Sequence, residues 1–392
     1  MEDAAASMED VKTGYGRYLA RKIAFIAISI FAVIVIAGVS CTLGDREIGF
    51  LRVYEIIWEH ICGASYAPGT SEWWDDYTVV DLRIPRIITA VIAGTALSVC
   101  GVAMQSIMQN PLADSYTTGI SSGACFGAVA ALVMGFTFSG ILNQYGIVTN
   151  AFLCGLVPAF AMVGISQFMR ASPAVLILAG TAVSYMFSAL TTLMMITADE
   201  DDLQGAYIWQ IGSFESAVWA NVPVMLAVTV VGSVFLIMTS NKLNVLTLGD
   251  DSARSLGMDA SRYRLVCLVV LSLVVGGIIS FTGIIAFVGL VAPHAVRMVI
   301  GSDNRFLVPA SMAFGAAIVL LADLVGRTLT PMGELPVGLI MSFIGGPLFL
   351  MLILRQKKGY GEVYRWRRCP MRRSDPDTPR GTAGRSCSRR CA

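Results

Sequence analysis

The sequence predicts an all-α, polytopic membrane protein of about ten transmembrane helices, with both termini cytoplasmic. Three observations carry that prediction. Of 392 residues, 55% are hydrophobic and only 14% charged, against about 45–50% and about 25% in soluble domains. The apolar residues gather in ten blocks, each near the roughly 20 residues that cross a bilayer as a helix. Lys and Arg cluster in alternate connecting segments, as the positive-inside rule requires. Such a composition excludes a soluble enzyme, a disordered chain, a coiled coil and a disulfide scaffold. A net charge of +1 supplies no global field for nucleic acid, so no such partner is expected.

In chain order, residues 1–21 form a cytoplasmic segment carrying Lys12, Arg17 and Arg21. The first span is 22–41. Its end, 38–41 (GVSC), has the look of a lipoprotein cleavage site, but Gly38 holds the −3 position and nine apolar blocks follow, so the helix is read as retained. The other spans are 86–108, 116–136, 149–169, 174–197, 220–240, 264–281, 284–301, 306–326 and 336–354, completing a ten-helix domain over 22–354. With the N-terminus inside, 14 Lys and Arg fall on inner segments and five on outer ones, namely Arg46, Arg52, Arg83, Arg86 and Arg327. An even number of spans returns the C-terminus to the inner side. Residues 355–392 are a basic tail with no periodicity, expected to be disordered and to rest on anionic membrane lipid.

The connecting segments differ in character. Gly119, Gly123 and Gly127 recur every four residues, which puts three small positions on one helix face for close packing. The outer loop 42–85 carries Trp58, Trp73, Trp74 and eight acids, the pattern of an interfacial, partly folded segment. Residues 199–202 (DEDD) read as a solvated surface, since no spaced oxygen-ligand loop follows to hold calcium. The longest inner loop is 241–263. There Asp250 is placed to cap a short helix that Gly257 ends, and Asp259 to cap a second short turn before Tyr263. Two short helices beneath a span make a rigid knob suited to docking. The alternative is an ordinary polar connector.

No catalytic residue and no cofactor is expected. The chain has no GxxxxGK[ST] phosphate loop and no Gly-Lys dipeptide, so it does not hydrolyse ATP by that route. No Ser/His/Asp, HExxH or paired-carboxylate site presents itself. Cys41, Cys100, Cys125, Cys154 and Cys267 lie in apolar blocks, where Cys behaves as a small hydrophobe. Cys387 and Cys391 have ligand-like spacing without a neighbouring His or carboxylate, so no metal site is expected. The spans are nearly free of ionisable groups. Asp323 sits near the outer end of the ninth, and His294 and Arg297 toward the inner end of the eighth. Ion coupling needs such groups at mid-membrane, so energy is expected to enter from outside the chain.

Specific strings then point to a family. They run Arg83-x-Pro85-Arg86, Gln105 of GVAMQ, the NPLAD segment from Asn110 and Pro111 to Asp114, and Gly119-x-Ser121-x-Gly123-Ala124. Next come Trp209-x-x-Gly212-Ser213-Phe214 and Leu248-Gly249-Asp250-x-x-Ala253-Arg254-x-Leu256-Gly257. Phe287-Val288-Gly289-Leu290-x-x-Pro293-His294-x-x-Arg297 follows, then Ala322-Asp323 with Arg327, and Glu334-Leu335-Pro336-x-Gly338 leading to Gly345-x-Pro347. In this order, over residues 15–356, the chain strongly resembles the FecCD-type permeases of the iron-chelate, siderophore, haem and cobalamin ABC importers. Ser115, Asn304 and Gly346 depart from the usual Pro, His and Ala; they sit in turns and packing contacts.

The resemblance implies a ten-helix subunit of the cell's cytoplasmic membrane, working as a homodimer or a paralogous heterodimer. It implies two ATPase subunits below and an extracytoplasmic binding protein above. Leu248, Gly249, Asp250, Ala253, Arg254, Leu256 and Gly257 become the element that couples to the ATPase. Gln105, Asn110, Pro111, Gly119, Gly123, Pro293 and His294 become pathway or packing residues. Two readings stay open for Arg83, Arg86 and Arg327, at the outer ends of the second and ninth spans. They pair with Asp81 or Asp323, or they receive carboxylates on the binding protein's lobes. The implied substrate is a metal chelate, a ferric siderophore first, with haem and cobalamin as alternatives. The rival classes are an ion-coupled secondary transporter and a membrane scaffold.

Overall fold

The computed structural model describes residues 2–44, 46, 48–63, 66–140, 143–168, 172–329 and 333–351, and the regular elements among them are all helical. The tail expected at 355–392 lies outside the described residues, as does Arg170. The chain divides into two units, Met1–Gly346 and Pro347–Ala392; residues 347–351 of the second are the end of the last helix.

Helix α1 (Glu2–Thr42) carries the N-terminal segment without a break into the first apolar block. The segment 42–85 is more regular than a partly folded loop. It forms α2 (Phe50–Ile61) and α3 (Ser71–Asp76), then a π-helical stretch at Tyr77–Arg83 that runs directly into α4 (Ile84–Ile107). The Thr70 side chain caps α3 by accepting from the Trp73 N–H. Pro85 opens α4, where the N–H that proline lacks would have no helical partner anyway. After a 3-10 turn at Ser115–Thr118 come α5 (Ile120–Met134), α6 (Gln144–Phe168), α7 (Pro173–Ile196) and α8 (Glu200–Ile211). The chain continues with α9 (Val222–Met238), α10 (Ser240–Thr247), α11 (Asp250–Ser255), α12 (Ala260–Thr282) and α13 (Val288–Ile300). Helices α14 (Asn304–Thr328) and α15 (Val337–Met351) close it.

Among the described residues, six helical stretches are long and apolar enough to cross a membrane, or seven if α9 and α10, bent by 60°, count as one span. Three shorter apolar helices are α5, α13 and α15. Each of the ten expected blocks coincides with one of these segments; how many of them span, and which way the chain is oriented, belong to the proposal below.

Helix α4 runs through the core, packed along α14, α13, α12 and α9. Small residues set the distances. A Cβ on Gly94 would lie 2.5 Å from the Gly315 carbonyl oxygen, and one on Gly101 would fall on the backbone of Gly289. Gly123 and Gly127 face α6 in the same way, against Cys154, Pro158 and Asn150. Without a hydrophobic difference between protein and lipid tails, such backbone contact is what drives helix association. We expect Gly101→Ala to destabilise the bundle by about 1–3 kcal/mol through overpacking. Gly164→Ala, where a Cβ meets nothing within 4 Å, is expected to be neutral or to stabilise α6 by up to about 1 kcal/mol. Thermal unfolding in detergent micelles checks both.

Candidate functional site

Chemistry-bearing residues gather at the two ends of α4. At its beginning, Arg86 pairs with Asp323 of α14, Nε to Oδ1 at 3.0 Å and Nη2 to Oδ1 at 2.9 Å, while Nη1 donates to the Glu334 carboxylate. Arg327, one turn beyond Asp323, adds an ion pair at 3.3 Å. Its Nη2 also donates to the Ser40 hydroxyl. Arg83 donates from Nη1 to the Cys41 carbonyl and from Nη2 to that of Arg46, both at 2.7 Å. Ser40 and Cys41 belong to the last turn of α1, whose carbonyls have no helical partner. A cation there both satisfies them and meets the negative end of the helix dipole.

The three arginines expected at this end are therefore brought together, along one cavity of about 570 Å³ lined also by Arg46, Glu215 and Glu334. Arg83 and Arg327 are only 4% and 6% exposed. The pairing with Asp323 holds for Arg86 and Arg327. Asp81 is exposed on the π-helical stretch. Ser40 and Glu334 are partners that the sequence reading did not identify.

At the other end of α4, the 241–263 loop forms α10, α11 and the start of α12. Gly257 stops α11 as the sequence predicts, and Asp259 is a cap, but of the long helix α12 rather than of a separate short turn. Gly257 has φ +77, and Asp259 accepts from the Arg262 N–H at 3.1 Å. Asp250 does not cap α11. Gly249, at φ +102, occupies the cap position without a side-chain bond. Asp250 instead accepts from Arg264 at 2.6 Å and from Gln109 at 2.8 Å. Arg264, fully buried, donates its Nε to the Ile107 carbonyl at the end of α4, 2.7 Å away. Gln109 reaches across from a left-handed backbone, φ +50.

One carboxylate thus ties α11 to both α4 and α12. The Arg264 hydrogen bond, aided by Gln109 and Arg254 and opposed by partial burial, holds the Asp250 carboxyl below the usual carboxylate range. The tie is therefore ionic at neutral pH and is lost only as pH falls below that range.

The other side of α11 and the leucines that flank it face outward. Leu248 and Leu256 are each 67% exposed, Asp251 and Arg254 are exposed, and Ala253 is buried. Neither Gly249 nor Gly257 has a neighbour within 4 Å of a Cβ, so φ alone selects glycine there. A cavity of about 720 Å³ opens beside α11, lined by Asp250, Arg254, Gly257 and Ser172 among others.

A smaller cavity of about 240 Å³ holds Gln105, Asn110, Pro111, Arg297 and Asn304. Arg297 donates to Gln105 at 2.7 Å, and Gln105 to the Gly289 carbonyl at 3.4 Å. Asn304, one of the three departures from the expected pattern, is buried and donates to Ser106 at 3.1 Å. Nearby, Arg305 and Asn244 draw the Asp303 carboxyl down to about 2. Gly119 caps α5 at φ +82, Gly123 packs on α6, and Pro293 is buried within α13 beside the half-buried His294. Among the described residues, no group of three or more His, Cys, Asp or Glu could hold a metal.

The family model of the FecCD transport family matches residues 28–355. The chain is similar to the uncharacterized ABC transporter permease protein YvrB of Bacillus subtilis, 35% identical over 345 residues, covering 88% of this chain and 95% of that one. It is similar also to the hemin transport system permease protein HmuU of Yersinia pestis, 36% identical over 279 residues, 71% of this chain and 84% of the relative. Among solved structures, "An inward-facing conformation of a putative metal-chelate type ABC transporter" aligns with TM-score 0.72 and 28% identity over 84% of this chain and 98% of that one. By these matches the chain belongs to the FecCD transport family.

Proposed function

We propose that the chain is the membrane-spanning permease subunit of an ATP-driven importer for a metal chelate. A ferric siderophore is the leading substrate, with haem and cobalamin as alternatives. In this reading ten helices span the cytoplasmic membrane with both termini inside. Two subunits flank a central pathway, either two copies of this chain or a paralogous pair. A separate ATPase docks on Leu248–Gly257, and a binding protein delivers the chelate at the Arg83 end.

The observation that carries the reading is the build of α11. Its outer face offers two exposed leucines and the charges of Asp251 and Arg254. Its inner face is locked through Asp250 to the ends of α4 and α12. A push on such an element moves the bundle rather than bending a loop. No phosphate loop occurs in the 392 residues, which fits a motor on another chain. The nearly uncharged spans disfavour the ion-coupled alternative.

For the docking of a binding protein, the paired Arg83, Arg86 and Arg327 line a cavity whose more open cation is Arg46, 41% exposed in its side chain and itself paired with Asp75. Carboxylates on a partner's lobe meet Arg46 first and the guanidinium edges behind it.

The purified chain is expected to show no ATP turnover until a partner ATPase is added; turnover by the chain alone, free of contaminating ATPase, rejects the proposal. Gly257→Val strains only the backbone, by about 1–2 kcal/mol, and Asp250→Asn weakens charge-assisted hydrogen bonds by about 1.5 kcal/mol or more. Both variants are expected to keep membrane insertion while uptake per ATP, measured in proteoliposomes, falls about tenfold, the equivalent of about 1.4 kcal/mol. Unchanged uptake by both removes α11 from coupling.

Arg86→Glu puts a third carboxylate against Asp323 and Glu334 and is expected to cost about 3–5 kcal/mol, seen as loss of folded protein. Arg46→Glu, which trades the exposed Asp75 pair for a like-charge contact, should cost folding no more than about 1 kcal/mol and weaken binding-protein docking several-fold, about 1 kcal/mol, with a shallower salt dependence.

A further inference from the structure

Helix α2 carries more apolar surface than its packing uses. Val53 and Ile56 are fully buried, in a small cluster with Ile48 and Val79 that Cys41, Ile57, Val80 and Ile84 close. On a second face, reached by helical periodicity, stand Phe50, Leu51, Tyr54, Trp58 and Ile61. All five are exposed, Leu51, Trp58 and Ile61 by 74%, 68% and 71%. The third face is charged and closed on itself, with Arg52 bridging Glu55 at 3.3 Å and Glu59 at 3.2 Å.

Two observations say what covers the second face. A Cβ on Gly38 would lie 2.9 Å from the Tyr54 hydroxyl, so this face meets α1 four residues before α1 ends at Thr42. Four residues rise about 6 Å. With α1 spanning up to its end, the tip of Tyr54 then reaches about one turn into the boundary between headgroups and acyl chains, where the apolar face of an interfacial helix lies. Second, Ile28, Phe31, Val35, Val39 and Leu43 form an exposed apolar row along α1 that leads up to this contact. Where a span does not pack on the second subunit its exposed surface faces lipid, and the row continues onto α2. Exposed Trp74 and Tyr77 stand further along the same segment, in keeping with an aromatic belt. The Arg52 face, one arginine bridging two glutamates, keeps a net charge of −1 and is the side of α2 that belongs in water.

We propose that α2 is an interfacial membrane helix, with Phe50, Leu51, Trp58 and Ile61 in lipid and Arg52, Glu55 and Glu59 in water. The proposal rests on α1 spanning the bilayer. It makes the segment 42–85 an anchor that fixes the height of the Arg83 cavity above the membrane.

The test uses the full chain in phosphatidylcholine vesicles whose acyl chains carry bromine either near the headgroup or near the chain end. The fluorescence lost in Trp58→Phe, obtained by difference, reports Trp58. It should be quenched about twofold by the shallow bromines, less by the deep ones, and little by aqueous iodide. In the double variant Leu51→Glu/Ile61→Glu, Trp58 should become open to iodide. Phe31→Trp serves as the control for α1. If that tryptophan is quenched by deep bromines and Trp58 by neither set, the α2 proposal fails alone. If neither tryptophan is quenched by lipid, the spanning reading fails with it. If Trp58 is open to iodide in vesicles and becomes shielded only when a binding protein is added, the face is a protein interface and the proposal is overturned.

Discussion

Buried arginines that donate to the carbonyls where helices stop hold the bundle's ends in place. Arg264 serves the end of α4 through Ile107, and Arg83 and Arg327 serve the end of α1 through Cys41 and Ser40. A helix end leaves four carbonyls without helical partners, and in an apolar medium water does not replace them. The guanidinium group suits the position because its donors are several, planar and permanently charged. Each of these arginines also joins elements far apart in sequence. Arg264 spans 157 residues to Ile107, and Arg327 spans 287 to Ser40. Removing Arg264 would leave the end of α4 without its donor and the Asp250 carboxylate without its cation.

The charge at each end of α4 has a different task. Around Arg86, two carboxylates and a second arginine neutralise one another inside the protein, so the network fixes α4 against α14 and leaves little free charge. Around Asp250, a single carboxylate is shared between a core arginine and a glutamine on a left-handed turn. The first arrangement suits a fixed joint. The second ties a six-residue helix to two long ones and suits the passage of a displacement from α11 into the core.

Much of this was legible in the sequence, and the reasons differ by residue. The apolar blocks emerged in place because length and hydropathy are properties of the strand of residues itself. The Gly257 stop and the Asp259 cap were readable because each acts within four residues of its own position. The Arg86 to Asp323 pair is among the pairings the sequence allows, since Asp323 is nearly alone among acids in the spans. Asp250 looks like a cap in the sequence alone, but its side chain answers to Arg264 and Gln109, 14 and 141 residues away. Arg264 itself looked like one more inner positive charge. The regularity of 42–85 was underestimated because α2 is amphipathic in three faces rather than two.

The central place of α4 has a consequence for how the chain is made. Its pairing partner Asp323 lies 237 residues downstream of Arg86. At the roughly 5–20 residues per second of translation, about 10–50 s separate the appearance of the two. For that interval the most buried helix of the bundle sits in the membrane with its glycine face open and its cation unmatched, so assembly waits on the last helices rather than growing from the first.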